Sequence, residues 1–311
     1  MSHKKKSYSI AMSIFRVPKI KVPTNESFVG ASTSNRVISD TYDMLDSSIL
    51  GKGAFGTVVK CSNRLNGTYY AVKTIDKLEI QGKLDYKQEI DVLREVNHPN
   101  ILSTIDYFED YRYLHIITEL YSGGDLFDFI EQSTMEDKYG CLSERNAISI
   151  MKALLESIRY LHDKNIVHRD IKPENVLFSS NPYNSANTGS LVRLVDFGFS
   201  KYHGLHDQKM RTKLGSPYYM SPDILNGSYD RSVDLWSAGV VCYIMLCGYP
   251  PFSGDTDSEI YDAIKKGIIV FEEEIWGDLS IGSKLFVRRL LSSGQDQLTD
   301  ASTAVDCIAR L

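Results

Sequence analysis

The sequence predicts an α+β chain in which short strands come first and helices follow. Apolar and β-branched runs recur between residues 42 and 120, a Gly-Gly break stands at 123–124, and a long helical pattern occupies 143–163. The 311 residues are enough for two hydrophobic cores or for one domain built as two lobes. Length alone therefore leaves both arrangements open.

Composition is that of a globular protein. Apolar residues make up 42% of the chain and charged residues 24%, which excludes disorder of the whole chain. The five cysteines are scattered and form no Cys-x-x-Cys pair, a pattern typical of reduced thiols. No apolar run is long enough to span a bilayer, and the N-terminus does not resemble a secretory signal. We therefore expect a cytoplasmic protein.

Charge is unevenly distributed along the chain. Six lysines and arginines fall within the first 21 residues, where no Asp or Glu occurs. With a total charge of −5, the rest of the chain carries −11. We expect residues 1–40 to be a mostly flexible extension whose basic arm makes at most weak contact with an anionic membrane surface. The acidic body favours basic peptides as partners and disfavours nucleic acid.

A glycine-rich turn stands between two apolar runs near the start of the predicted folded part. Its glycines are Gly51, Gly53 and Gly56. The residues after them, Thr57-Val58-Val59, favour a strand, whereas dinucleotide-binding units continue into a helix. Another strand then ends at Lys73. The order of strand, glycine loop and strand indicates a loop that covers phosphates.

A helical pattern over residues 84–96 follows, with Glu89 on its inward face. A pair between Lys73 and Glu89 would hold the ammonium group against nucleotide phosphates. For Lys73 alone, a solvated strand end is the plainer interpretation. Further strands are predicted at 101–108 and 113–120, and helices at 126–132 and 143–163.

The stretch His-Arg-Asp-Ile-Lys-Pro-Glu-Asn at 168–175 combines groups suited to phosphoryl transfer. Asp170 can orient a hydroxyl and accept its proton, Lys172 can neutralise charge on the moving phosphoryl group, and Asn175 can hold a divalent metal. A polar, turn-forming insert without an assigned role follows at 178–190. A short strand at 191–195 then leads to Asp196-Phe197-Gly198.

Together these motifs resemble those of eukaryotic protein kinases. The matching segments are the Gly-x-Gly-x-x-Gly-x-Val loop at 51–58, Tyr-Ala-Val-Lys ending at Lys73, Glu89, the stretch 168–175, Asp-Phe-Gly at 196–198 and Asp-x-Trp-x-x-Gly at 234–239. The resemblance covers residues from about 42 to about 300. It implies a bilobal protein-kinase fold, with a small antiparallel sheet and one long helix at 42–120 and a mainly α-helical lobe at 121–311.

The same resemblance implies ATP as phosphate donor and Mg²⁺ as metal. Asp170, Lys172 and Asn175 would be catalytic, and Asn175 together with Asp196 would hold Mg²⁺. The residues implied at the nucleotide are Gly51, Gly53, Gly56, Val58, Ala71, Lys73, Glu89, Thr118, Glu119, Tyr121, Asp125 and Leu177.

Residues 248–257 resemble the calcium/calmodulin-dependent group, most closely the catalytic part of calcium-dependent protein kinases. In that group, acidic residues around the substrate groove favour basic side chains before the target Ser or Thr. Asp125 and Glu174 stand at such positions. Lys172 implies Ser/Thr specificity, as does Gly215-Ser216-Pro217 in the loop that the resemblance implies to face the substrate. The alternatives are a calcium-independent relative and a pseudokinase scaffold, although a pseudokinase would be expected to lack one of the three central residues Lys73, Asp170 and Asp196.

Calcium sensing is not expected from this chain. Asp255-Thr256-Asp257 resembles the start of an EF-hand loop, but Ile260 and Lys266 stand where Gly and Glu are required. Two alternatives remain open: a calcium-sensing regulatory part was removed from this chain, or the protein is a calcium-independent relative.

Regulation by phosphorylation is a further possibility that the resemblance raises. Thr212 aligns with the activation-loop site, where a phosphate would pair with Arg169.

Three positions depart from the family pattern. Asp223 and Gln297 replace the glutamate and arginine that form a buried ion pair in the family. We expect a hydrogen bond between Asp223 and Gln297 in place of the ion pair, and a mildly less stable large lobe. Thr104 stands where an apolar residue is usual, which predicts a looser small lobe.

Overall fold

The computed structural model describes residues 36–53, 56–80, 86–136, 141–204, 207–294 and 296–311. Contacts divide the described chain into two compact units. The smaller unit contains residues 36–97 and 102–121, and the larger contains 98–101 and 122–311. The basic arm and the predicted extension up to residue 35 lie outside the described residues.

The smaller unit is built on a five-stranded antiparallel sheet, as predicted. The elements are α1 (Ile38–Thr41), β1 (Tyr42–Gly53), β2 (Gly56–Asn63), β3 (Tyr69–Asp76), α2 (Lys77–Ile80), α3 (Tyr86–Glu95), β4 (Thr104–Glu109) and β5 (Tyr113–Glu119). The strand order is β1-β2-β3-β5-β4. Because alternate residues of a strand face opposite sides, the sheet can bury two apolar sets.

One apolar set lies around Tyr42, Val72 and Phe108, and the other joins Ile75 and Leu114 of the sheet to Ile90 of α3. The second cluster fixes α3 on the sheet through burial of aliphatic side chains. This contact places Glu89, the neighbour of Ile90, on the buried side of the helix.

Two ends of the smaller unit differ from the sequence-based boundaries. Residues 36–41, expected in or beside the extension, include α1, and Nη1 of Arg36 donates to Oδ1 of Asp106 at 3.1 Å. The strand predicted to begin at Ile101 begins at Thr104 instead, and Ile101 forms a parallel bridge with Leu194 in the larger unit. Ile101 fits the apolar pattern of a strand, but it pairs with Leu194, a residue far away in the sequence, and not with β5.

The larger unit is mainly α-helical, as predicted. Its helices are α4 (Leu126–Glu136), α5 (Glu144–Asp163), α6 (Pro222–Leu225), α7 (Ser232–Cys247), α8 (Asp257–Lys266), α9 (Glu273–Trp276), α10 (Ile281–Leu290) and α11 (Ala301–Ile308). Ser143 caps α5 by accepting the N–H of Asn146 at 3.3 Å. All 16 residues of α7 are buried, which makes this helix the centre of the core.

Two short antiparallel strand pairs position the predicted catalytic stretch. The strands are β6 (Ile166–Val167), β7 (Val176–Phe178), β8 (Val192–Leu194) and β9 (Lys201–Tyr202). The pairs are β6 with β9 and β7 with β8. The stretch 168–175 therefore begins at the end of one pair and leads into the other.

The insert at 178–190 packs on the larger unit. It contains two 3₁₀ turns, Pro182–Asn184 and Thr188–Leu191. The N–H of Gly189 donates to Oγ of Ser149 at 2.9 Å, and its carbonyl accepts Nδ2 of Asn100 at 3.1 Å. These bonds satisfy backbone groups that would otherwise be buried without partners.

The remaining sequence expectations concern calcium, membranes and thiols. Residues 257–266 form α8, so the partial EF-hand match at 255–266 is not a calcium loop. Within the described part of the chain, no helix is both long and apolar enough to cross a membrane. All five cysteines are free thiols.

Candidate active site

Lys73 and Glu89, predicted as a pair, are in contact in the smaller unit. Nζ of Lys73 on β3 donates to Oε1 of Glu89 on α3 at 2.8 Å. The Glu89 side chain is only 5% exposed and that of Lys73 is 18% exposed. Because water screens this pair less than a surface pair, it holds the ammonium group in one place.

The glycine loop joins β1 to β2, with Gly53 paired opposite Gly56. A Cβ added at Gly56 would lie 2.0 Å from the carbonyl oxygen of Thr74, so only glycine fits at this close approach of β2 to β3. A Cβ at Gly51 would meet no atom within 4 Å. Packing within the sheet therefore explains why residue 56 is glycine. It does not explain why residue 51 is glycine.

Four further predicted residues line β2, β3 and β5. Val58 is paired with Lys73, and Ala71 with Thr118. Ala71 and Thr118 are both buried at 8% exposure, and Oγ1 of Thr118 donates to the carbonyl of Glu119 at 3.3 Å. The sheet register thus brings these side chains together with Lys73 on neighbouring strands.

Tyr121 lies two residues after the end of β5. Its hydroxyl donates to Oε2 of Glu119, so the two side chains are tied to each other. The structure does not bear on the predicted role of the Glu119 and Tyr121 backbone groups at a nucleotide base, which stays a prediction.

The three predicted catalytic side chains converge in the larger unit. Oδ2 of Asp170 accepts Nζ of Lys172 at 2.8 Å and Nδ2 of Asn175 at 2.9 Å. Within the described residues, Oδ1 of Asp170 takes part in no hydrogen bond. The carboxylate is therefore oriented through one oxygen, and the other is available to a substrate hydroxyl.

Lys172 is held in its charged form. Burial would lower its pKa, but Asp170, Glu174 and Asp196 together outweigh this and raise the pKa above the ordinary value. Its Nζ also lies 3.4 Å from Oγ of Ser216 in the substrate-facing loop predicted at 215–217. A cation therefore lies between the predicted base and that loop.

Asp234, at the start of α7, holds the backbone that carries Asp170. Its carboxylate accepts the N–H groups of His168 at 2.9 Å and Arg169 at 2.8 Å, and it contacts Nε2 of His162 at 3.0 Å. Burial would raise the pKa of Asp234, but the hydrogen bond with His162 and the other partners keep it below its ordinary value.

The positioning role of Asp234 was not predicted from the sequence, where Asp234 served only as part of a motif. A usable signal was present, since Asp234 is the one charged residue of a 16-residue helix that is rich in apolar residues. A buried charge of this kind needs several partners, but the sequence does not show which ones.

Asn175 and Asp196 are brought close through the backbone. The carbonyl of Asn175 accepts the N–H of Val195, the residue before Asp196, at 3.0 Å. Asp196 itself has a φ of +64°, a conformation that is costly for a residue other than glycine. The N–H of Gly198 donates to its Oδ1 at 3.4 Å.

The donor set suits Mg²⁺. Asn175 uses its Nδ2 to bind Asp170, which leaves the carboxamide oxygen free to act as a ligand beside the carboxylate of Asp196. Among the described residues, no group of three His, Cys, Asp or Glu side chains could hold a metal ion. Mg²⁺ commonly takes only one or two protein ligands and completes its shell with phosphates and water, so this pair fits the expected ion.

Asp125 and Glu174 form a second acidic group in the larger unit. Burial raises the pKa of Asp125 to about 6, although the N–H of Asp128 donates to its Oδ1 at 2.8 Å. Burial also raises the pKa of Glu174, and repulsion by Asp170 and Asp125 adds to it. Oε2 of Glu174 is buried and has no hydrogen-bond partner among the described residues.

Asp125 also forms an antiparallel backbone bridge with Leu177 of β7. This bridge sets the position of Asp125 relative to the catalytic stretch that ends at Asn175. The predicted contacts of Asp125 and Leu177 with a nucleotide stay a prediction.

The departures from the family pattern have mixed outcomes. No hydrogen bond joins Asp223 to Gln297 in the described structure, so the expected substitute for the ion pair is wrong. Both side chains are only partly buried, and the charges that act on the pKa of Asp223 are Lys209, which lowers it, and Asp230, which raises it. Oγ1 of Thr104 is buried and lacks a hydrogen-bond partner within the described part of the chain, which supports the expected weakness there.

Comparison with known proteins agrees with this geometry. The protein kinase domain model matches residues 45–306. Calcium-dependent protein kinase 3 of Plasmodium yoelii yoelii is 39% identical over 278 residues, which cover 89% of this chain and 49% of that protein. Calcium-dependent protein kinase 5 of Plasmodium falciparum (isolate 3D7) is 38% identical over 267 residues, 86% of this chain and 45% of that protein.

A shorter relative is matched over most of its length. Myosin light chain kinase A of Dictyostelium discoideum is 40% identical over 262 residues, which cover 83% of this chain and 84% of that protein. By contrast, the chain spans about half the length of the calcium-dependent kinases it matches. Proteins with this domain generally use ATP and Mg²⁺. The chain therefore belongs to the protein kinase domain family and is a eukaryotic protein kinase of the calcium/calmodulin-dependent group.

Proposed function

We propose that this kinase transfers the γ-phosphate of ATP to serine or threonine of protein substrates that carry basic residues before the target. The observation that carries the proposal is the arrangement around Asp170, whose Oδ2 is held by Lys172 and Asn175 while Oδ1 takes part in no described hydrogen bond. This arrangement matches the requirement for a positioned base beside a cation.

The reaction follows from these groups. The substrate hydroxyl oxygen forms a bond to the γ-phosphorus, the bond from that phosphorus to the β,γ-bridging oxygen breaks, and the hydroxyl proton passes to Asp170. Lys172 stabilises negative charge on the transferring group. Asn175 and Asp196 would hold Mg²⁺, which when bound would neutralise negative charge on the phosphates. Lys73, fixed by Glu89, is proposed to contact the α- and β-phosphates.

Serine or threonine specificity is supported by Lys172. Its ammonium group reaches Ser216 as well as Asp170, so it lies beside the position where a short hydroxyl side chain would enter. A tyrosine hydroxyl stands farther from its backbone and would need a more distant peptide. We therefore propose that aliphatic hydroxyls are the acceptors.

Preference for basic substrates is supported by Asp125 and Glu174. Repulsion by Asp125 adds to the effect of burial in raising the pKa of Glu174, and Oε2 of Glu174 is buried without a described partner. A guanidinium group could supply two hydrogen bonds and a compensating charge. We propose that an arginine or lysine before the target residue binds here.

One assay tests the proposal. Transfer from [γ-³²P]ATP is measured to a Ser peptide with a preceding arginine, to its Arg→Ala and Ser→Tyr versions, and with Asp196→Ala as the inactive control. We expect no phosphate on the Ser→Tyr peptide, and a kcat/KM for the arginine-containing Ser peptide about tenfold or more above that for the Arg→Ala peptide. Equal rates for the two Ser peptides would refute basic specificity, and no transfer above the control would favour the pseudokinase alternative.

The assay is repeated with and without Ca²⁺, because two relatives are calcium-dependent by name and this chain spans about half their length. We propose that this chain is active without calcium. The cytoplasmic location that the scattered thiols predict is also a proposal, and cell fractionation tests it.

A further inference from the structure

Tyr229 joins the catalytic stretch to the segment that contains Thr212. Its ring is fully buried in an apolar cluster with Val167 and Met210. Its hydroxyl donates to the carbonyl oxygen of Thr212 at 2.8 Å and accepts Nη1 of Arg169 at 3.2 Å. A single hydroxyl group thus bridges two segments separated by more than forty residues.

Hydrogen bonds hold both the backbone and the side chain of Arg169. It directly precedes Asp170, has a φ of +66°, and donates its N–H to Asp234 at 2.8 Å. Its Nε donates to the carbonyl of Phe199 at 2.6 Å. Because a positive φ is costly for arginine, these hydrogen bonds and the one to Tyr229 must offset that cost.

The other end of the bridge is also fixed. Met210 and Tyr229 exchange two backbone hydrogen bonds, at 2.8 and 3.0 Å. Next to them, Nζ of Lys209 pairs with Oδ2 of Asp230. Thr212, itself exposed, is therefore held by its backbone and stands four residues before Ser216, which contacts Lys172.

We propose that Tyr229 is a positioning residue, whose hydroxyl holds the substrate-facing loop in register with Asp170 when Thr212 carries no phosphate. Arg169 already has two oxygen acceptors, Phe199 and Tyr229, so its side chain is ordered by groups within the chain. A phosphate on Thr212 was expected to bind the Arg169 side chain, and the neutral hydroxyl of Tyr229 already fills part of that role. The inference rests on the proposed peptide phosphorylation, which provides its readout.

Tyr229→Phe tests the inference, because it removes the hydroxyl and keeps the buried ring. We expect the KM for the arginine-containing Ser peptide to rise about tenfold, while the KM for ATP stays unchanged. A purely structural loss would instead reduce the amount of active enzyme, so it would lower kcat and leave both KM values unchanged. An unchanged peptide KM in Tyr229→Phe overturns the proposal.

Tyr243→Phe is the matched control. Tyr243 is equally buried, and its hydroxyl donates to a carbonyl oxygen, that of Val270, at 2.6 Å. It contacts no residue of the catalytic stretch in the described hydrogen bonds, so its loss should cost similar stability and leave the peptide KM unchanged. An equal rise in peptide KM in both variants would also contradict a specific role of Tyr229.

Arg169→Gln tests the opposite end of the same bridge if Tyr229→Phe does not fold. The proposal requires a rise in peptide KM for Arg169→Gln, and an unchanged value overturns it. Where both variants fold, the double variant should raise the KM by less than the product of the single effects, because both remove one interaction. Failure of the proposed function is distinguishable, since the unmodified enzyme would then transfer no phosphate to the peptide.

Discussion

Oδ1 of Asp234 accepts the backbone N–H of Arg169 at 2.8 Å, at a residue whose φ is +66°. Oδ2 of the same carboxylate accepts the N–H of His168 at 2.9 Å. A buried acid at the start of α7 thus holds the backbone immediately before Asp170. Orientation of the carboxylate that we propose as the base therefore depends on a helix 65 residues away along the chain.

Asp234→Asn should lower both stability and activity. An amide offers one acceptor oxygen in place of two and carries no charge, so it leaves at least one N–H of the stretch without a partner. We expect the free energy of unfolding to fall by about 3 kcal/mol and kcat to fall by about tenfold or more. Urea unfolding and peptide assays at low temperature measure the two effects.

Asp300→Asn serves as the control for this change. Asp300 is an exposed N-cap of α11, accepting the N–H of Thr303 at 2.8 Å, and asparagine caps helices equally well. It should leave stability and kcat unchanged. Wild-type behaviour of Asp234→Asn would show that the carboxylate does not position the stretch.

Recognition of arginine should weaken as the pH falls. Burial raises the pKa of Asp125 to about 6, so lowering the pH from 7.5 to 5.5 protonates it and removes its negative charge. We expect the ratio of kcat/KM between the Arg and Ala peptides to fall by about threefold or more over this range. The ratio is measured at saturating ATP, because it cancels pH effects that are common to both peptides.

Asp125→Asn should keep the N-cap of α4 while removing the titrating group. Its peptide ratio should be lower at pH 7.5 and should change less between pH 7.5 and 5.5. If the wild-type ratio is constant over this range, Asp125 does not contribute to the recognition of arginine.

Thr104→Val should stabilise the smaller unit. The hydroxyl of Thr104 is buried without a described partner, and valine has nearly the same shape without the polar atom. We expect the free energy of unfolding to rise by about 1 kcal/mol. Thermal and urea unfolding of the purified kinase measure it.

Thr118→Val is the matched comparison, because Thr118 is paired with Thr104 across the sheet and its hydroxyl donates to Glu119. Removing a hydroxyl that has a partner should give no stabilisation. A loss of stability in Thr104→Val would mean that its hydroxyl is satisfied in solution.

Restoring the charged pair at 223 and 297 should raise the melting temperature. Burial raises the pKa of Asp223, and Lys209 opposes this rise without cancelling it while Asp230 adds to it, so the acid is only partly compensated. In Asp223→Glu with Gln297→Arg, a longer acid and a guanidinium group could meet, for a gain of about 1 kcal/mol or 2–4 °C. Calorimetry on the double variant and on each single variant measures the coupling.

Neither single change should reproduce that gain, since each supplies only half of the pair. Equal melting temperatures for wild type and the double variant would count against a missing ion pair as the cause of weakness.

Most of the fold was predictable because it depends on local patterns. Helix α5 was predicted nearly to the residue, since a cap at Ser143 and a broad apolar face mark it in the sequence. The predicted first residue of β4, Ile101, was wrong, because a short apolar run does not reveal whether it pairs with β5 or with Leu194.

The sequence by itself, through residue types, spacings and the resemblance to protein kinases, was enough to predict the chemistry of this protein: it singled out Lys73, Glu89, Asp170, Lys172, Asn175 and Asp196. Only the tertiary structure decided what holds them. Asp234 beneath the catalytic stretch and Tyr229 between Arg169 and Thr212 act through hydrogen bonds that cross long intervals of sequence. Local patterns record which groups a segment offers, but the partner of a buried polar group is set by how distant segments pack.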